Sequence, residues 1–300
     1  MQNIFSTLGP FDAIPCESDF KASEFERLYK RRNLPVKLTN VIGKWPALTR
    51  WNPEFFRVEF GDLQISAGDK SMTVAEFVQS VMYPAGEAAE RPYVRQTKLK
   101  RIFPELLRDI EPLPAFLQSN WLDAAHLPRR FAPFAARDFE LLFGGPGTHF
   151  PVIHYDANHL HAFILQIFGM KEIYAFAPGD AKYLYPDPSW PNKSQVNMFG
   201  AVEEYPLLRS AHIYRTTLCP GECLFVPMGW WHGVINPQVS IAVTCNYVDA
   251  SNWREFSSDW LAGQDYGVLK RRLASVIFKV AGWRRQRLDS SETRDGTSTA

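Results

Sequence analysis

The stretch Ser240-Ile241-Ala242-Val243-Thr244-Cys245-Asn246-Tyr247-Val248 alternates between two kinds of side chain. One face carries the larger side chains of Ile241, Val243, Cys245 and Tyr247, and the other is mainly small or polar. A period of two residues is typical of a β-strand. Small and polar residues that face into a small barrel leave a cavity, which large side chains would fill. The stretch therefore predicts a strand that lines a cavity.

Other segments supply further strands of the same barrel. Two apolar runs, from Phe163 to Lys171 and from Glu172 to Pro178, are joined by a turn that contains Gly169, which predicts a hairpin. Pro220-Gly221 suits the central positions of a type II turn. Leu224 to Pro227 then predicts a strand that leads towards His232. Together these are the parts of a double-stranded β-helix.

The tripeptide His154-Tyr155-Asp156 predicts a metal site. In a strand residues 154 and 156 point the same way, with Cα atoms about 7 Å apart, while Tyr155 points away. A hydrogen-bonded His-Asp pair on a sheet is the alternative for the tripeptide alone. With His232 the set becomes two imidazoles and one carboxylate, which is how non-haem Fe(II) oxygenases leave positions open for a co-substrate and O₂.

Lys171 stands between two apolar runs, where its charge needs an explanation. It could reach solvent from an edge strand. If it points inward instead, an isolated ammonium is costly to bury and needs a partner. A bound dicarboxylate would supply that partner.

Several ordered segments together resemble the JmjC-like cupins, which are Fe(II)- and 2-oxoglutarate-dependent oxygenases, and particularly the factor-inhibiting-HIF branch of asparaginyl hydroxylases. The resemblance runs from residue 10 to residue 255. The matching segments are Leu34-Pro35-Val36 through Trp45-Pro46-Ala47, Pro92-Tyr93 with Gln96-Thr97, His154-Tyr155-Asp156, Gln166 through Lys171, Ser194-Gln195-Val196, Pro220-Gly221-Glu222, Val226-Pro227-Met228, Trp230-Trp231-His232, and Asn246.

The resemblance implies a mainly β fold with flanking helices, namely a double-stranded β-helix of the cupin or jelly-roll type with a C-terminal helical extension. It implies that Fe(II) is held by His154, Asp156 and His232. It also implies that Lys171 and Tyr93 hold the distal carboxylate of 2-oxoglutarate, with Asn246 beside the metal-bound end. The third reactant is O₂.

The chain departs from the family pattern in one contact to 2-oxoglutarate. The family has a Thr three residues before its first metal ligand, where this chain has Pro151. Thr148 is the nearest candidate to replace it. Candidate substrate contacts are Arg95, His161, Gln166, Asn192 and Gln195. Ordinary loop solvation is the alternative for Arg95, Asn192 and Gln195.

The expected activity is hydroxylation of a C–H bond in a protein or peptide side chain or in a small molecule. Demethylation of N-methyl-lysine and hydroxylation of a tRNA base use the same centre, so both stay open. A cupin that binds metal without turnover is the non-enzymatic alternative.

Composition is consistent with one large globular unit. Of the 300 residues, 46% are hydrophobic and 14% aromatic, which is enough for a sizeable core. The formal net charge of +1 gives no global attraction to nucleic acid, so a nucleic-acid partner is not expected. The four Cys are scattered and predict reduced thiols. Neither a basic leader nor a membrane-spanning apolar run is evident, which predicts a cytoplasmic protein.

The predicted organisation is an oxygenase domain over residues 1–255, a helical extension over 256–288 and a disordered tail over 289–300. The front third contains predicted helices over 17–31, 73–82 and 101–110, the second with a capping box between Thr73 and Glu76.

The C-terminal helix is predicted over Leu269–Trp283, with an apolar stripe and a strongly basic polar side. It could pack on its own barrel, form a homodimer or bind an anionic surface. Because the resembling hydroxylases pair their C-terminal helices, we expect a homodimer through Leu273, Ile277 and Val280.

Overall fold

A computed structural model describes residues 3–18, 20–85, 91–96, 99–122, 139–150 and 152–295. The strands in these ranges are β1 Asp12–Ala13, β2 Cys16–Glu17, β3 Val36–Leu38, β4 Gln64–Ala67, β5 Lys70–Thr73, β6 Tyr93–Gln96, β7 Phe139–Gly144, β8 His161–Phe168, β9 Lys171–Phe176, β10 Tyr214–Leu218, β11 Cys223–Val226, β12 Trp231–Ile235 and β13 Ser240–Tyr247.

The α-helices in the same ranges are α1 Ala22–Phe25, α2 Ala47–Arg50, α3 Pro53–Phe60, α4 Val74–Met82, α5 Leu99–Ile102, α6 Ala115–Gln118, α7 Trp253–Ala262 and α8 Val268–Asp295. A π-helical turn over Glu26–Lys30 continues α1. Short 3-10 helices cover Ile4–Thr7, Pro104–Ile110, Ala157–His159, Pro178–Tyr183, Val202–Glu204 and Pro206–Ser210.

Two sheets form the centre of the fold. The larger has the order β2-β3-β11-β8-β13-β7-β6 and the smaller has the order β1-β10-β9-β12, while β4 and β5 pair separately. One apolar cluster joins the sheets, since it contains Ile164 and Ala242 from the larger and Ile173 and Val234 from the smaller. This arrangement is the predicted jelly roll with flanking helices.

Strand β13 has the predicted alternation. Ile241, Val243, Cys245 and Tyr247 pack in the cluster beneath the N-terminal helices. Thr244 and Asn246 line a cavity between the sheets, together with residues of β7, β8 and β12. The small and polar inner face of β13 therefore leaves open the space in which the candidate site lies.

The prediction of a β-hairpin around Gly169 is wrong. Strand β8 pairs with β11 and β13, whereas β9 pairs with β10 and β12. The chain instead crosses from one sheet to the other at Gly169, which has φ of 65°. A Cβ there would lie 1.8 Å from the carbonyl oxygen of Val239, so the crossing requires glycine. Periodicity identified both strands but carries no information about their partners.

The helices of the front third agree in part with the prediction. The capping box is present: the Glu76 amide donates to Thr73 Oγ1 at 3.1 Å, and the Thr73 amide donates to Glu76 Oε2 at 2.8 Å. The helix predicted over residues 17–31 is shorter in the structure than in the prediction, because the regular helix begins at Ala22. The helix predicted over 101–110 divides into the end of α5 and a 3-10 helix that begins at Pro104.

Helices α7 and α8 pack against each other beside the barrel. Phe278 of α8 stacks on Trp253 and Trp260 of α7, at ring-centroid distances of 5.5 and 5.3 Å. Helix α8 continues to Asp295, inside the segment predicted to be disordered from residue 289, and residues 296–300 lie outside the described ranges. The predicted domain limits stay a prediction. No helix in the described ranges has the length and apolarity to cross a membrane.

Candidate active site

His154 and His232 are held side by side through their backbones. The His154 amide donates to the His232 carbonyl at 3.0 Å, and the His232 amide donates back at 2.7 Å. This pairing fixes the segment before Asp156 against β12. Asn192 secures the other side, because its Nδ2 donates to the Tyr155 carbonyl at 3.1 Å and its carbonyl accepts from the Tyr155 amide at 3.1 Å.

The side chains of His154, Asp156 and His232 all line the cavity between the sheets. The two imidazole centroids are 4.4 Å apart, and His232 Nε2 lies 4.0 Å from Asp156 Oδ2. Phe150 stacks on the His154 ring with a centroid distance of 4.4 Å. The structure therefore brings together the three residues that the sequence proposed as ligands.

Backbone carbonyls orient both imidazoles. His154 Nδ1 lies 3.1 Å from the Val152 carbonyl, and His232 Nδ1 lies 3.2 Å from the Trp230 carbonyl. Because a carbonyl oxygen only accepts, each Nδ1 carries a hydrogen, and in the neutral form of each ring the lone pair lies on Nε2. Metal-binding imidazoles are oriented in this way.

Burial controls the charges of the site. It lowers the pKa of His154 well below 6.5, helped by the charge that His232 would carry, so the His154 imidazole is neutral. It also raises the pKa of Asp156 above the ordinary value of 3.8. A carboxyl group that burial disfavours as an anion gains from a nearby cation, and a divalent ion would supply one.

The spacing of the ligands is slightly wider than a bound ion requires. Ligand atoms about 2.1 Å from one metal and about 90° apart lie about 3 Å from each other. The separation between His232 Nε2 and Asp156 Oδ2 is 4.0 Å. Within the described ranges no three His, Cys, Asp or Glu side chains already form a closed metal cluster. A side-chain shift of about 1 Å would bring His232 Nε2 and Asp156 Oδ2 to that separation, and the residue types fit an Fe(II) ion.

Lys171 is completely buried at the start of β9. Its Nζ donates to Asn236 Oδ1 at 2.9 Å, and Asn236 Nδ2 donates to Thr148 Oγ1 at 2.9 Å. No salt bridge joins Lys171 to a carboxylate of the described residues. Burial consequently lowers the pKa of Lys171 to about 7.

Tyr93 lies next to this lysine and lines the cavity. Lys171 Nζ is 5.7 Å from the centre of the Tyr93 ring. The Tyr93 hydroxyl is buried and has no hydrogen-bond partner among the described residues, and burial raises its pKa. A buried hydroxyl without a partner beside an unpaired ammonium is energetically costly. A carboxylate between them would satisfy both groups.

Gly144 makes room for this group of side chains. A Cβ at Gly144 would lie 2.4 Å from Thr148 Oγ1, 2.6 Å from Asn236 Nδ2 and 2.6 Å from Tyr93 Cδ2. The close packing of Thr148, Asn236 and Tyr93 therefore depends on the missing side chain at position 144.

Arg95 and Glu140 form a charged pair in the cavity wall. The Arg95 guanidinium donates to both Glu140 oxygens, at 2.7 and 3.1 Å, and lies 5.3 Å from the centre of the Phe150 ring. Both charged residues line the same cavity as the triad. Asn246 also lines it.

Four of the predicted substrate residues do not line this cavity. His161 is buried, with Nδ1 accepting from the Met228 amide at 2.9 Å and Nε2 bonded to Ser251 Oγ at 2.9 Å. Gln166 Nε2 donates to the Phe168 carbonyl and to Ser240 Oγ. These contacts support the fold, and substrate contact by His161 and Gln166 stays a prediction.

The remaining two, Asn192 and Gln195, lie on the long segment between β9 and β10. Asn192 holds the segment that contains His154 and Asp156 in place through its hydrogen bonds to Tyr155, so these contacts are structural. Gln195 is exposed and its Nε2 donates to the Pro186 carbonyl at 3.4 Å. Of the predicted substrate residues Arg95 alone lines the cavity. Pro151, which replaces the family threonine, lies outside the described residues.

Sequence reasoning missed Asn236, Gly144 and Glu140. Asn236 precedes a proline, so it resembled an ordinary turn residue. Glu140 and Gly144 stand in the strand Phe139–Gly144, which had not been assigned. The available signal was the unexplained charge of Glu140 within an otherwise apolar run.

Comparison with known proteins agrees with this geometry. The family described as "Cupin-like domain" matches residues 63–252. The chain is 26% identical to Lysine-specific demethylase JMJ21 of Arabidopsis thaliana over 84% of its own length and 27% of that protein. It is 27% identical to HSPB1-associated protein 1 of Homo sapiens over 86% of its own length and 55% of that protein.

A shorter match covers 30% of the chain, with 36% identity, and involves 28% of the tRNA wybutosine-synthesizing protein 5 of Mus musculus. The chain spans between about a quarter and just over half of the curated relatives that it matches over most of its own length.

Proposed function

Because this chain belongs to the cupin-like domain family, as the match to residues 63–252 shows, we propose that it is an Fe(II)- and 2-oxoglutarate-dependent dioxygenase that hydroxylates a C–H bond. One observation carries the proposal. Two imidazoles and one carboxylate share a cavity with Tyr93, whose buried hydroxyl has no hydrogen-bond partner among the described residues, beside the buried Lys171, which forms no salt bridge with them.

Fe(II) would be held by His154, Asp156 and His232. When bound with 2-oxoglutarate and O₂, it supplies the oxidation, in which the co-substrate becomes succinate and CO₂ while the substrate gains one oxygen atom. The protein's own residues bind and orient the reactants. Lys171 and Tyr93 would hold the distal carboxylate through charge-assisted hydrogen bonds.

The surrounding residues keep this anion site in place and dry. Asn236 accepts from the Lys171 ammonium and donates in turn to Thr148 Oγ1, so Thr148 acts behind the lysine in this proposal. Asn246 would stand beside the metal-bound end of the co-substrate. The apolar walls of Leu142, Ala162, Ile164 and Val234 exclude water, which strengthens each polar contact inside.

The proposed substrate is a peptide or protein side chain or a small molecule, with Arg95 as its candidate contact. Demethylation of N-methyl-lysine is the second candidate, because several relatives are named lysine-specific demethylases. Removal of a methyl group through hydroxylation would release formaldehyde, so the two reactions have different products.

Succinate formation tests the activity. The purified protein is incubated with Fe(II), 2-oxoglutarate and O₂, first alone and then with cell extract, and His154→Ala is the control. We expect succinate from the unmodified protein and none above background from the variant. Mass spectrometry then separates a product heavier by one oxygen atom from formaldehyde release. Equal succinate from both proteins would refute the proposed centre.

The homodimer and the cytoplasmic location stay predictions. Leu273 and Val280 are exposed on α8, whereas Ile277 is partly buried against the cluster formed with α7. Two of the three proposed interface residues are therefore exposed and the third is partly buried.

A further inference from the structure

Helix α8 has two opposite apolar faces. One face packs on α7 through Ala274, Phe278 and Ala281, which are at most 6% exposed. The other face consists of large apolar residues with exposed fractions between 43% and 83%, and we call it the outer stripe: Leu269, Leu273, Val276, Val280 and Trp283. At about 100° per residue, these five lie within about 40° of one line along the helix. Phe278 lies on the opposite side, so the outer stripe points away from α7, and only Trp283 at its edge also lines the cavity between α7 and α8.

Cations flank the outer stripe on both sides. On the same helical projection, Arg272 and Lys279 lie within about 80° of it on one side, and Lys270 and Arg284 lie within about 100° on the other. The chain has no Asp or Glu between Val268 and Leu288. The stripe is therefore an apolar surface in a positive field. Near its end the Arg287 guanidinium lies 3.8 Å from the centre of the Trp283 ring.

This combination selects among the partners that could cover the stripe. A second copy of α8 would bury the apolar residues but bring two sets of cations together. A nucleic acid would neutralise the cations but leave Leu273 and Val280 in water. The surface of a bilayer that contains anionic lipids satisfies both halves, because apolar side chains enter the acyl boundary while flanking cations meet the headgroups. Trp283 suits the same boundary.

We propose that α8 binds the surface of anionic membranes, lying in the plane of the interface through the outer stripe. The inner face of the helix stays packed on α7 while the outer stripe inserts. The oxygenase domain would thus be held at a membrane surface without a spanning segment.

Vesicle flotation tests this proposal with the full chain. The probes are vesicles of phosphatidylcholine alone and vesicles of three parts phosphatidylcholine to one part phosphatidylserine. We expect binding to the anionic vesicles only. The double variant Arg272→Gln with Lys279→Gln should weaken that binding about 30-fold, since each cation near such a surface contributes about fivefold. The double variant Leu273→Gln with Val280→Gln should weaken it more than about 10-fold.

Lys44→Gln with Lys70→Gln is the matched control, because it removes two exposed charges elsewhere. It should bind as the unmodified protein does. Thermal unfolding verifies that each variant is folded, and if the Leu273 and Val280 variant is not, the cation variant still tests the proposal.

Equal binding to both kinds of vesicle, or none to either, would overturn the proposal. So would unchanged binding in the cation variant. A sedimentation experiment in which the unmodified chain is a dimer and the Leu273 and Val280 variant a monomer would assign the stripe to a second copy instead.

Discussion

The Nζ of Lys171 donates a hydrogen bond of 2.9 Å to the Oδ1 of Asn236, and neither side chain has measurable exposure to solvent. An amide oxygen carries only a partial charge, so it orients the ammonium without neutralising it. The lysine consequently keeps the capacity to bind a full negative charge. This relationship supports the proposal that a carboxylate binds beside Lys171.

Lys171→Met should weaken 2-oxoglutarate binding strongly. Loss of a charge-assisted contact in a dry site is worth about 2–4 kcal/mol, which corresponds to about 30- to 1000-fold in affinity. Calorimetric titration of 2-oxoglutarate, with Mn(II) in place of Fe(II), measures the change. Lys182→Met is the control, since Lys182 is exposed. An unchanged affinity in the Lys171 variant would transfer this role to another cation.

Affinity for 2-oxoglutarate should fall as the pH rises above about 7. Burial lowers the pKa of Lys171 to about 7 from 10.5, and the carboxylate needs the protonated form. Above that pKa each pH unit should reduce the affinity by up to about tenfold. The decrease ends where Lys171 has the same protonation state in the free protein and in the complex. Titrations between pH 6.5 and 8.5 measure the slope. Lys171→Arg should remove it, because guanidinium stays charged; an equal slope in that variant would contradict the assignment.

The same pKa shift predicts how stability depends on pH without ligand. Lys171 is protonated in the unfolded chain up to about 10.5 and in the folded chain only up to about 7. The unfolded state therefore binds the extra proton between these values, and this residue makes the free energy of unfolding rise with pH in that window. In denaturant titrations at pH 7 and 9, the unmodified protein should gain more stability than Lys171→Met does.

His154→Ala and His232→Ala should each abolish succinate formation and weaken Fe(II) binding. Two remaining ligands hold the ion poorly against water, while the backbone bonds between the two positions do not need the imidazoles. Metal binding is measured by equilibrium dialysis and folding by circular dichroism. Near-normal turnover with stoichiometric iron in either variant would show that the residue is not a ligand.

Gly144→Ala should destabilise the protein by about 1–3 kcal/mol and weaken 2-oxoglutarate binding, because the added methyl overlaps Thr148, Asn236 and Tyr93. Gly179→Ala is a matched control, since a Cβ there meets no atom within 4 Å. Urea unfolding measures the stability of both variants. Equal stability in the two would mean that the packing around Gly144 can relax.

Local patterns in the sequence determined several strands, the capped helix and the pair His154 and Asp156. The alternation of Ser240–Val248 needs only the two-residue period of a strand, and the Thr73 capping box needs only one helical turn. The grouping of His154 and Asp156 follows from the same period. His232 and Lys171 were assigned to the same site through the family resemblance, because spacing alone does not show which distant segments come together.

Tertiary structure alone decided which groups meet. Strand pairing placed β8 and β9 in different sheets, and backbone carbonyls selected the nitrogen that each imidazole leaves available. Asn236 became the partner of Lys171 although 65 positions separate them, while both ring nitrogens of His161 and the side-chain amide nitrogen of Gln166 found other partners. The sequence by itself shows the residue periodicity of individual strands and helices. Hydrogen-bond partners and burial depend on distances between segments that are far apart in the chain, and only the packed fold determines these distances.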